Sequence, residues 1–360
     1  MRTRQRADTA DSGTAGLENV IEVGGLRRRY GDFEAVRGVS FGVARGEIFA
    51  LLGTNGAGKT TTMEVLEGFV PASDGTVRVL GLDPVRQHRV LRPRVGIMLQ
   101  EGGFFGDLTV AETVDLWKGM SEDAGRPVTL SGTELPTRLT LTGRIRGADR
   151  RTMGALELVG LENKARTRVR QLSGGQKRRL DLALAVLSAP EVLFLDEPTT
   201  GMDPEARRTT WKVIEDLRAG GTTVLLTTHY LEEAERLADR LAIMHEGLIH
   251  TYGSVEEVVA GSGDLVSFRL PGAPRSYDEL PLLDGAAPVL TYAGGGTEVS
   301  YTLTGQAAET RAHAALRPLL AWADDGGETL ERLAVRRGTL EDAFMRVVGE
   351  TSGRVAAGER

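Results

Sequence analysis

The strongest constraint on the fold of this chain is a glycine-rich loop, Gly-Thr-Asn-Gly-Ala-Gly-Lys-Thr, which extends from Gly53 to Thr60. The loop fits the pattern G-x-x-x-x-G-K-T. The apolar run from Ile48 to Leu52 predicts a buried strand before the loop, and a helix is predicted from Thr60 onward. A strand, a glycine loop and a helix in this order predict a phosphate-binding site at the positive end of the helix.

The residues of this loop have different predicted roles. The glycines at Gly53, Gly56 and Gly58 permit backbone conformations that turn successive N–H groups toward phosphate oxygens. We expect Lys59 to reach the β- and γ-phosphates of a nucleotide and the Thr60 hydroxyl to hold Mg²⁺. The predicted nucleotide-binding residues of this segment are Gly53, Thr54, Asn55, Gly56, Ala57, Gly58, Lys59, Thr60 and Thr61.

Three later apolar segments predict strands, and each is followed at once by polar residues. These residues are Asp196 and Glu197 after segment 192–195, Gln100 after segment 95–99 and His229 after segment 224–228. Because open α/β sheets bind ligands at the carboxyl ends of their strands, we expect all four side chains at one site. Asp196 is suited to hold Mg²⁺ through water, and Glu197 to polarise the water that attacks the γ-phosphate.

A second motif, Leu-Ser-Gly-Gly-Gln at 172–176, precedes Asp-Glu-Pro-Thr at 196–199 and the strand-terminal His229. Together with the glycine loop, this order of motifs resembles the ATP-binding subunit of an ABC transporter, over about residues 17–255. The resemblance implies an α/β fold with a P-loop ATPase domain, built from a mixed sheet core, an antiparallel β subdomain and a helical subdomain. A small α+β domain is predicted to follow.

In that family, two chains close over two nucleotides, and the signature motif of one chain binds the γ-phosphate of ATP held by the other. The resemblance therefore assigns ATP contacts in trans to Ser173, Gly174 and Gly175, and Gln176 is also predicted to bind ATP. A helix predicted from Gln176 to Leu187 would present its positive end to that phosphate.

Further positions take their roles from the same resemblance. Tyr30 resembles the aromatic residue that stacks on adenine, although Phe33 lies nearby as a competitor. Gln100 resembles the residue that links Mg²⁺ or the attacking water to the membrane partner. The segment 198–203, which ends in the ATP-contacting Asp203, resembles the loop that crosses to the opposite subunit, and His229 the switch residue that touches the γ-phosphate.

The ending Gly-Thr-Leu-Glu-Asp-Ala-Phe at 338–344 resembles the multidrug and daunorubicin-resistance branch of bacterial exporters. This implies an ATPase that uses ATP and Mg²⁺ to power export of a drug, antibiotic or lipid-like molecule through separate integral-membrane permease subunits. It would act as a homodimer or with a paired ATP-binding subunit, at the cytoplasmic face of the cell membrane. The alternatives are a soluble ABC-type ATPase acting on ribosomes or nucleic acid, and an ATP-binding regulatory subunit.

Composition fits the transporter interpretation better than these alternatives. The net charge of −6 gives no general basis for a nucleic-acid-binding surface. The chain has no cysteine, which excludes disulfides and thiolate metal sites. No apolar stretch approaches the roughly 20 residues that cross a bilayer, so we expect the transport path in another polypeptide.

Composition shifts also predict the domain organisation. A disordered tail at 1–16, without the apolar core of a signal peptide, would precede an ABC ATP-binding domain at 17–260. Its helical subdomain, about 102–171, would dock on the permease and carry an inserted loop at 121–151. The arginines of that loop suit either solvent or anionic headgroups. A hairpin is predicted at 240–252, around Gly247. A small α+β accessory domain at 264–349 and a tail at 350–360 complete the prediction.

The accessory domain has its own predicted elements. Alternating apolar residues predict strands at 266–270 and 299–303, and a third strand is predicted near 330–335. A helix is predicted at 308–319, where we expect Pro318 to kink or shorten it. The final helix is predicted from Thr339, with Asp342 three residues later as in a capping box.

Overall fold

The computed structural model describes residues 18–100, 103–120, 129–130, 133–134, 150–271, 280–293, 296–303 and 308–357. The predicted tail at 1–16 and most of the predicted insertion at 121–151 lie outside these residues. The described strands are β1 (Asn19–Tyr30), β2 (Phe33–Ala44), β3 (Ile48–Gly53), β4 (Asp74–Val79), β5 (Val95–Met98), β6 (Thr129–Leu130), β7 (Thr133–Glu134), β8 (Val192–Asp196), β9 (Thr223–Thr228), β10 (Arg240–His245), β11 (Leu248–Ser254), β12 (Asp264–Pro271), β13 (Val289–Ala293), β14 (Gly296–Leu303) and β15 (Glu331–Arg336). The described α-helices are α1 (Lys59–Leu66), α2 (His88–Leu91), α3 (Val110–Met120), α4 (Arg150–Leu158), α5 (Gly174–Ala185), α6 (Pro204–Ala219), α7 (Leu231–Leu237), α8 (Val255–Gly261), α9 (Ala308–Gly326) and α10 (Leu340–Ala357).

A six-stranded sheet in the order β11-β10-β3-β9-β8-β5 forms the centre of the larger part of the fold. The strands from β10 to β5 are parallel to their neighbours, and β11 is antiparallel at the edge. Strands β3, β8 and β9 are buried along their whole length, as expected for parallel strands covered on both faces. The four strands predicted from apolar segments are therefore confirmed, and their carboxyl ends lie at one edge of this sheet.

Two hydrophobic cores cover the two faces of the central sheet. On one face, helices α3 to α8 pack around buried side chains such as Leu156, Leu180 and Trp211. On the other face, α1 and the antiparallel sheet β2-β1-β4 enclose Phe41 and Phe49, whose ring centroids are 5.3 Å apart. The predicted α/β class, with its mixed central sheet and its antiparallel β subdomain, is confirmed.

Helix α5 begins earlier than the sequence predicts. It starts at Gly174 instead of Gln176 and ends at Ala185 instead of Leu187. Ser173 forms a capping box, because its Oγ accepts the N–H of Gln176 at 3.3 Å and the Gln176 Oε1 accepts the N–H of Ser173 at 3.0 Å. This reciprocal pair moves the helix start two residues toward the N-terminus.

The C-terminal part contains a four-stranded antiparallel sheet in the order β13-β14-β12-β15. Strands were predicted at the positions of β12, β14 and β15, whereas β13 was not predicted. Helix α9 packs on one face of this sheet, over a core that includes Phe268, Tyr301 and Leu319. The helix continues to Gly326, well past Pro318, where a kink or an early end was expected.

The final helix packs differently from its prediction. Thr339 caps it as expected, because the Asp342 N–H donates to the Thr339 Oγ1 at 3.3 Å and Asp342 accepts the Thr339 N–H at 2.8 Å. The helix continues to Ala357, beyond the predicted end of the accessory domain at 349. Its buried Leu340, Ala343 and Val347 belong to the core beneath the central sheet and not to the core of the four-stranded sheet. The helical period identifies an apolar face but not the surface that this face covers.

Candidate functional site

The glycine loop between β3 and α1 has the conformation that its glycines permit. Gly56 and Gly58 have φ angles of 78° and 98°, in the left-handed region. A Cβ atom on Gly58 would lie 2.6 Å from the carbonyl oxygen of Ala35, so only glycine fits there. Helix α1 starts at Lys59, and no side chain caps it. The N–H groups of its first turn are therefore oriented to bind an anion.

The turn between β10 and β11 braces this loop from the side. The Gly247 N–H donates to the carbonyl of Ala57 at 3.0 Å, and the Arg37 N–H donates to the carbonyl of Gly247 at 2.8 Å. Gly247 has a φ angle of 79°, and a Cβ atom on it would lie 2.8 Å from the Ala35 carbonyl oxygen. The sequence predicts a hairpin here but not its contact with the loop.

The side chain of Lys59 folds back over the glycine loop. Its Nζ donates to the carbonyl oxygens of Gly53 at 2.9 Å and Thr54 at 3.1 Å. The side chain is nearly buried, and burial lowers the pKa of Lys59, while the charges of Glu197 and Asp196 oppose this change. The ammonium group thus lies in the electrostatic field of Asp196 and Glu197, the two carboxylates predicted at the end of β8.

Asp196 and Glu197 are held by a neighbouring strand and a neighbouring loop. The Thr227 hydroxyl of β9 donates to the Asp196 Oδ1, and the Glu197 N–H donates to the Thr227 Oγ1 at 3.0 Å. Glu197 has a φ angle of 49°, a left-handed conformation that costs a non-glycine residue about 1–3 kcal/mol. The Thr200 hydroxyl donates to the Glu197 Oε2 at 3.1 Å. These contacts fix the direction in which the Glu197 carboxylate points.

Arg178 is a residue of the site that the sequence analysis missed. Its guanidinium group donates to the backbone carbonyls of Leu99, Asp196 and Glu197, the last at 2.9 Å. It therefore joins helix α5 to the carboxyl ends of β5 and β8. Burial lowers the pKa of Arg178, and the charge of Asp181 opposes this change most strongly. The only signal in the sequence is the position of Arg178 four residues before the buried Leu182, on the same side of the helix.

His229 lies beside Glu197, as the common strand edge predicts. Its Nδ1 is 3.1 Å from the Glu197 Oε1, although the two atoms are not aligned for a hydrogen bond. About one third of the His229 side chain is exposed, so a ligand can reach the ring. Gln100 is exposed just beyond β5, the strand next to β8. Among the described residues, no hydrogen bond joins its side chain to Asp196 or Glu197.

The signature residues lie on the surface of the single chain. Ser173 and Gly174 are exposed, and a Cβ atom on Gly174 would meet nothing within 4 Å. Because the Ser173 Oγ accepts the N–H of Gln176, its hydroxyl hydrogen stays available to donate to a phosphate oxygen. Within the described residues, no hydrogen bond connects Ser173 to the glycine loop. A contact with phosphate in trans therefore stays a prediction.

Two other predicted ATP-contacting residues already have partners within the chain. The Tyr30 hydroxyl donates to the Glu64 Oε2 of helix α1 at 3.3 Å, and the Arg28 guanidinium lies 4.4 Å from the centre of its ring. Asp203 caps helix α6 by accepting the Ala206 N–H at 2.8 Å. Adenine stacking on Tyr30 and an ATP contact of Asp203 stay predictions.

The oxygen atoms at the strand edge suit a magnesium ion. Thr60, Asp196 and Gln100 offer hydroxyl, carboxylate and amide oxygens, the donor types that Mg²⁺ prefers. The described part of the chain contains no group of three or more His, Cys, Asp or Glu residues able to hold a metal by itself.

Glu67, at the end of helix α1, gives the region a testable pH dependence. Burial, followed by the charges of Asp196 and Glu64, raises the pKa of Glu67 to about 8 from its ordinary 4.5. Stability from the protonated carboxyl is therefore fully present below pH 4.5 and is lost as pH rises through about 8. We expect Glu67→Gln to stabilise the nucleotide-free protein at pH 8.5 by about 1–2 kcal/mol, with little effect at pH 4.5.

Urea unfolding of both proteins at the two pH values measures this difference. The same substitution at the exposed Glu22 controls for the loss of one carboxylate. A Glu67→Gln protein less stable than the wild type at pH 8.5 would contradict the raised pKa.

Comparisons with known proteins agree with this geometry. Residues 36–200 match the family model described as ABC transporter. The chain is 35% identical over 333 residues to a daunorubicin resistance ATP-binding protein of Streptomyces coeruleorubidus, covering 92% of this chain and 97% of that protein. It is 37% identical over 334 residues to the Nod factor export ATP-binding protein I of Paraburkholderia xenovorans, covering 92% of this chain and 98% of that protein.

Solved structures share the fold. One described as an ATP-binding subunit of an ABC transporter has a TM-score of 0.54 and 26% identity, and covers 66% of this chain and 91% of its own. Another, an ATP-binding cassette of an ABC transporter in its ADP conformation, has a TM-score of 0.55 and 24% identity, covering 67% and 92%. None of the helices in the described residues is both long and apolar enough to cross a membrane.

Proposed function

Because this chain belongs to the ABC transporter family, as one of its ATP-binding proteins, we propose that two copies hydrolyse ATP between them and thereby power export through a separate membrane protein. The observation that carries the proposal is the common position of Lys59, Asp196 and Glu197 at one edge of the parallel sheet, beside an uncapped helix N-terminus. The chain is an ATPase, and these residues are those we assign to the reaction.

Each residue has a role that follows from its contacts. The loop N–H groups and Lys59 would bind the β- and γ-phosphates and stabilise the charge that develops on them. Thr60, Asp196 and Gln100 would hold Mg²⁺, which neutralises phosphate charge when it is bound. Glu197, fixed by Thr200, would orient the attacking water and accept its proton.

His229 and the signature residues complete the proposed site from two directions. The ring of His229, 3.1 Å from Glu197, would contact the γ-phosphate from the same chain. The exposed Ser173 and the open position of Gly174 suit a contact with the γ-phosphate bound by a second chain. This arrangement explains why Ser173 and Gly174, at the start of α5, are exposed although Arg178 on the same helix is buried.

Export is the proposed direction of transport, because relatives that align along nearly their whole length are described as a daunorubicin resistance protein and a Nod factor export protein. The cargo would be a small molecule, carried by a permease that holds this chain at the cytoplasmic face of the membrane. The dimer would consist of two copies or of this chain with a paired ATP-binding subunit.

Co-expression with a candidate permease tests this proposal. We expect the chain in the membrane fraction only when the permease is present, and efflux of a probe such as daunorubicin to rise only in those cells. A Glu197→Gln chain should reach the membrane without efflux. Association with ribosomes or nucleic acid regardless of the permease would contradict the proposal and favour the soluble alternative.

A further inference from the structure

Glu233 is a fully buried carboxylate on helix α7 that no step above uses. Its side chain has no solvent exposure, and its Oε1 accepts the Thr199 hydroxyl at 2.8 Å and the indole N–H of Trp211 at 3.0 Å. Burial raises the pKa of Glu233, while the neighbouring Thr228, Trp211 and Thr199 oppose this change, in that order. Hydrogen bonds therefore join Glu233 to the loop after β8 and to helix α6.

These groups flank the proposed reaction site. Thr199 belongs to the loop 198–203, and the next residue, Thr200, donates to the proposed base Glu197. Thr228 ends strand β9 immediately before His229. Trp211 lies in helix α6, which begins at the end of the same loop. Helix α7, which carries Glu233, begins at Leu231, two residues after His229. Glu233 thus connects the loop next to Glu197 to the segment that follows His229.

Simple packing does not account for a glutamate in this position. Transfer of a carboxylate from water into a protein core costs free energy, and apolar residues of similar volume commonly stabilise a core as well or better. Its Oε2 is buried without a hydrogen-bond partner. The side chain of the neighbouring Glu232 is 72% exposed. Burial of an acid is therefore specific to position 233 and is not a general feature of helix α7.

We propose that Glu233 is a positioning residue that couples the loop 198–203 to His229. When a second chain contacts this loop, the coupling aligns Glu197 and His229 at the same time. The inference rests on the proposed function, in which this loop crosses to the second chain. Thr199 transmits the position of the loop to Glu233 on helix α7, which follows His229, while Thr200 transmits it directly to the Glu197 carboxylate. Hydrolysis is thereby linked to closure of the dimer.

Two substitutions that break the same link test the coupling. Thr199→Val removes the hydroxyl at nearly constant volume, and Glu233→Met removes both carboxylate oxygens while it keeps an unbranched side chain of similar length. We expect each to lower kcat by about five- to tenfold, with ATP affinity of the monomer unchanged. The double variant should be no slower than the slower single variant, because both changes remove one interaction. Thr199→Ser, which keeps the hydroxyl, should restore kcat.

Glu232→Gln, one residue away on the same helix, is the matched control and should keep wild-type kcat. ATP-driven dimer formation, measured by size-exclusion chromatography in a Glu197→Gln background, should weaken with Thr199→Val. If the wild-type enzyme is active and neither Thr199→Val nor Glu233→Met changes its kcat, this inference fails while the proposed function stands. Lower thermal stability with unchanged kcat per folded molecule would also overturn it, in favour of a structural role. A wild-type protein without ATPase activity would instead refute the proposed function.

Discussion

Substitution of Glu197 by glutamine should lower kcat for ATP hydrolysis by at least about 100-fold, because the amide cannot accept the proton of the attacking water. ATP binding should persist, since Lys59 and the loop N–H groups are untouched. The Thr200 hydroxyl can still donate to the amide oxygen at the position of the Glu197 Oε2, so the local geometry should survive. The variant should therefore accumulate as an ATP-bound dimer that cannot reset.

Steady-state phosphate release and light scattering with saturating ATP and magnesium measure these two effects. Glu191→Gln is the matched control, because Glu191 lies just before the other end of strand β8 and pairs with Arg94 at 2.7 Å. It should retain ATPase activity. Unchanged turnover in Glu197→Gln would remove Glu197 from the mechanism, even if the family assignment stands.

Mixing two inactive variants should restore activity if each site combines the glycine loop of one chain with the signature of the other. Lys59→Ala removes the cation that we propose binds the β- and γ-phosphates, and loss of such a group costs about 100-fold or more in kcat. Ser173→Arg places a bulky cation at the exposed start of α5 and should be inactive as well. In a mixed dimer, both substitutions fall in one site and leave the other intact.

Random exchange makes about half of the dimers mixed, and each has one working site, so up to about a quarter of wild-type activity should return. A chain carrying both substitutions, mixed with the wild type, disables both sites of the mixed dimer and provides the control. Ser254→Arg removes an equivalent capping box from helix α8 and should leave ATPase activity unchanged. No recovery on mixing, with exchange of chains verified, would contradict a site shared in trans.

Much of the fold could be predicted because its signals are local. The apolar runs before Gly53, Gln100, Asp196 and His229 predict strands, and the parallel sheet brings their ends to one edge. The cap at Thr339 was also correct, because a threonine followed by an acid three residues later is a local pattern. The apolar pattern alone predicts the start of α5 two residues late, because the capping box of Ser173 and Gln176 begins the helix at Gly174.

The site contains two contacts that no pattern indicated. Arg178 follows Lys177 and precedes Arg179, so it resembles one cation of a solvated run, yet it donates to three backbone carbonyls at the strand ends. Glu233 follows Glu232 in the same way, and only one of the two is buried. When two adjacent residues are of the same type, the sequence does not show which one is buried, because this depends on the surface against which the helix packs.

The sequence by itself determined the nucleotide-binding loop, the strands with polar ends and the α/β class, because these depend on residue order over a few turns or one strand. Only the tertiary structure decided that Arg178 and Glu233 face inward, and that Leu340, Ala343 and Val347 of the last helix pack beneath the central sheet. The physical reason is that period and capping are properties of one segment, whereas the identity of its partner depends on shape and burial across the whole chain.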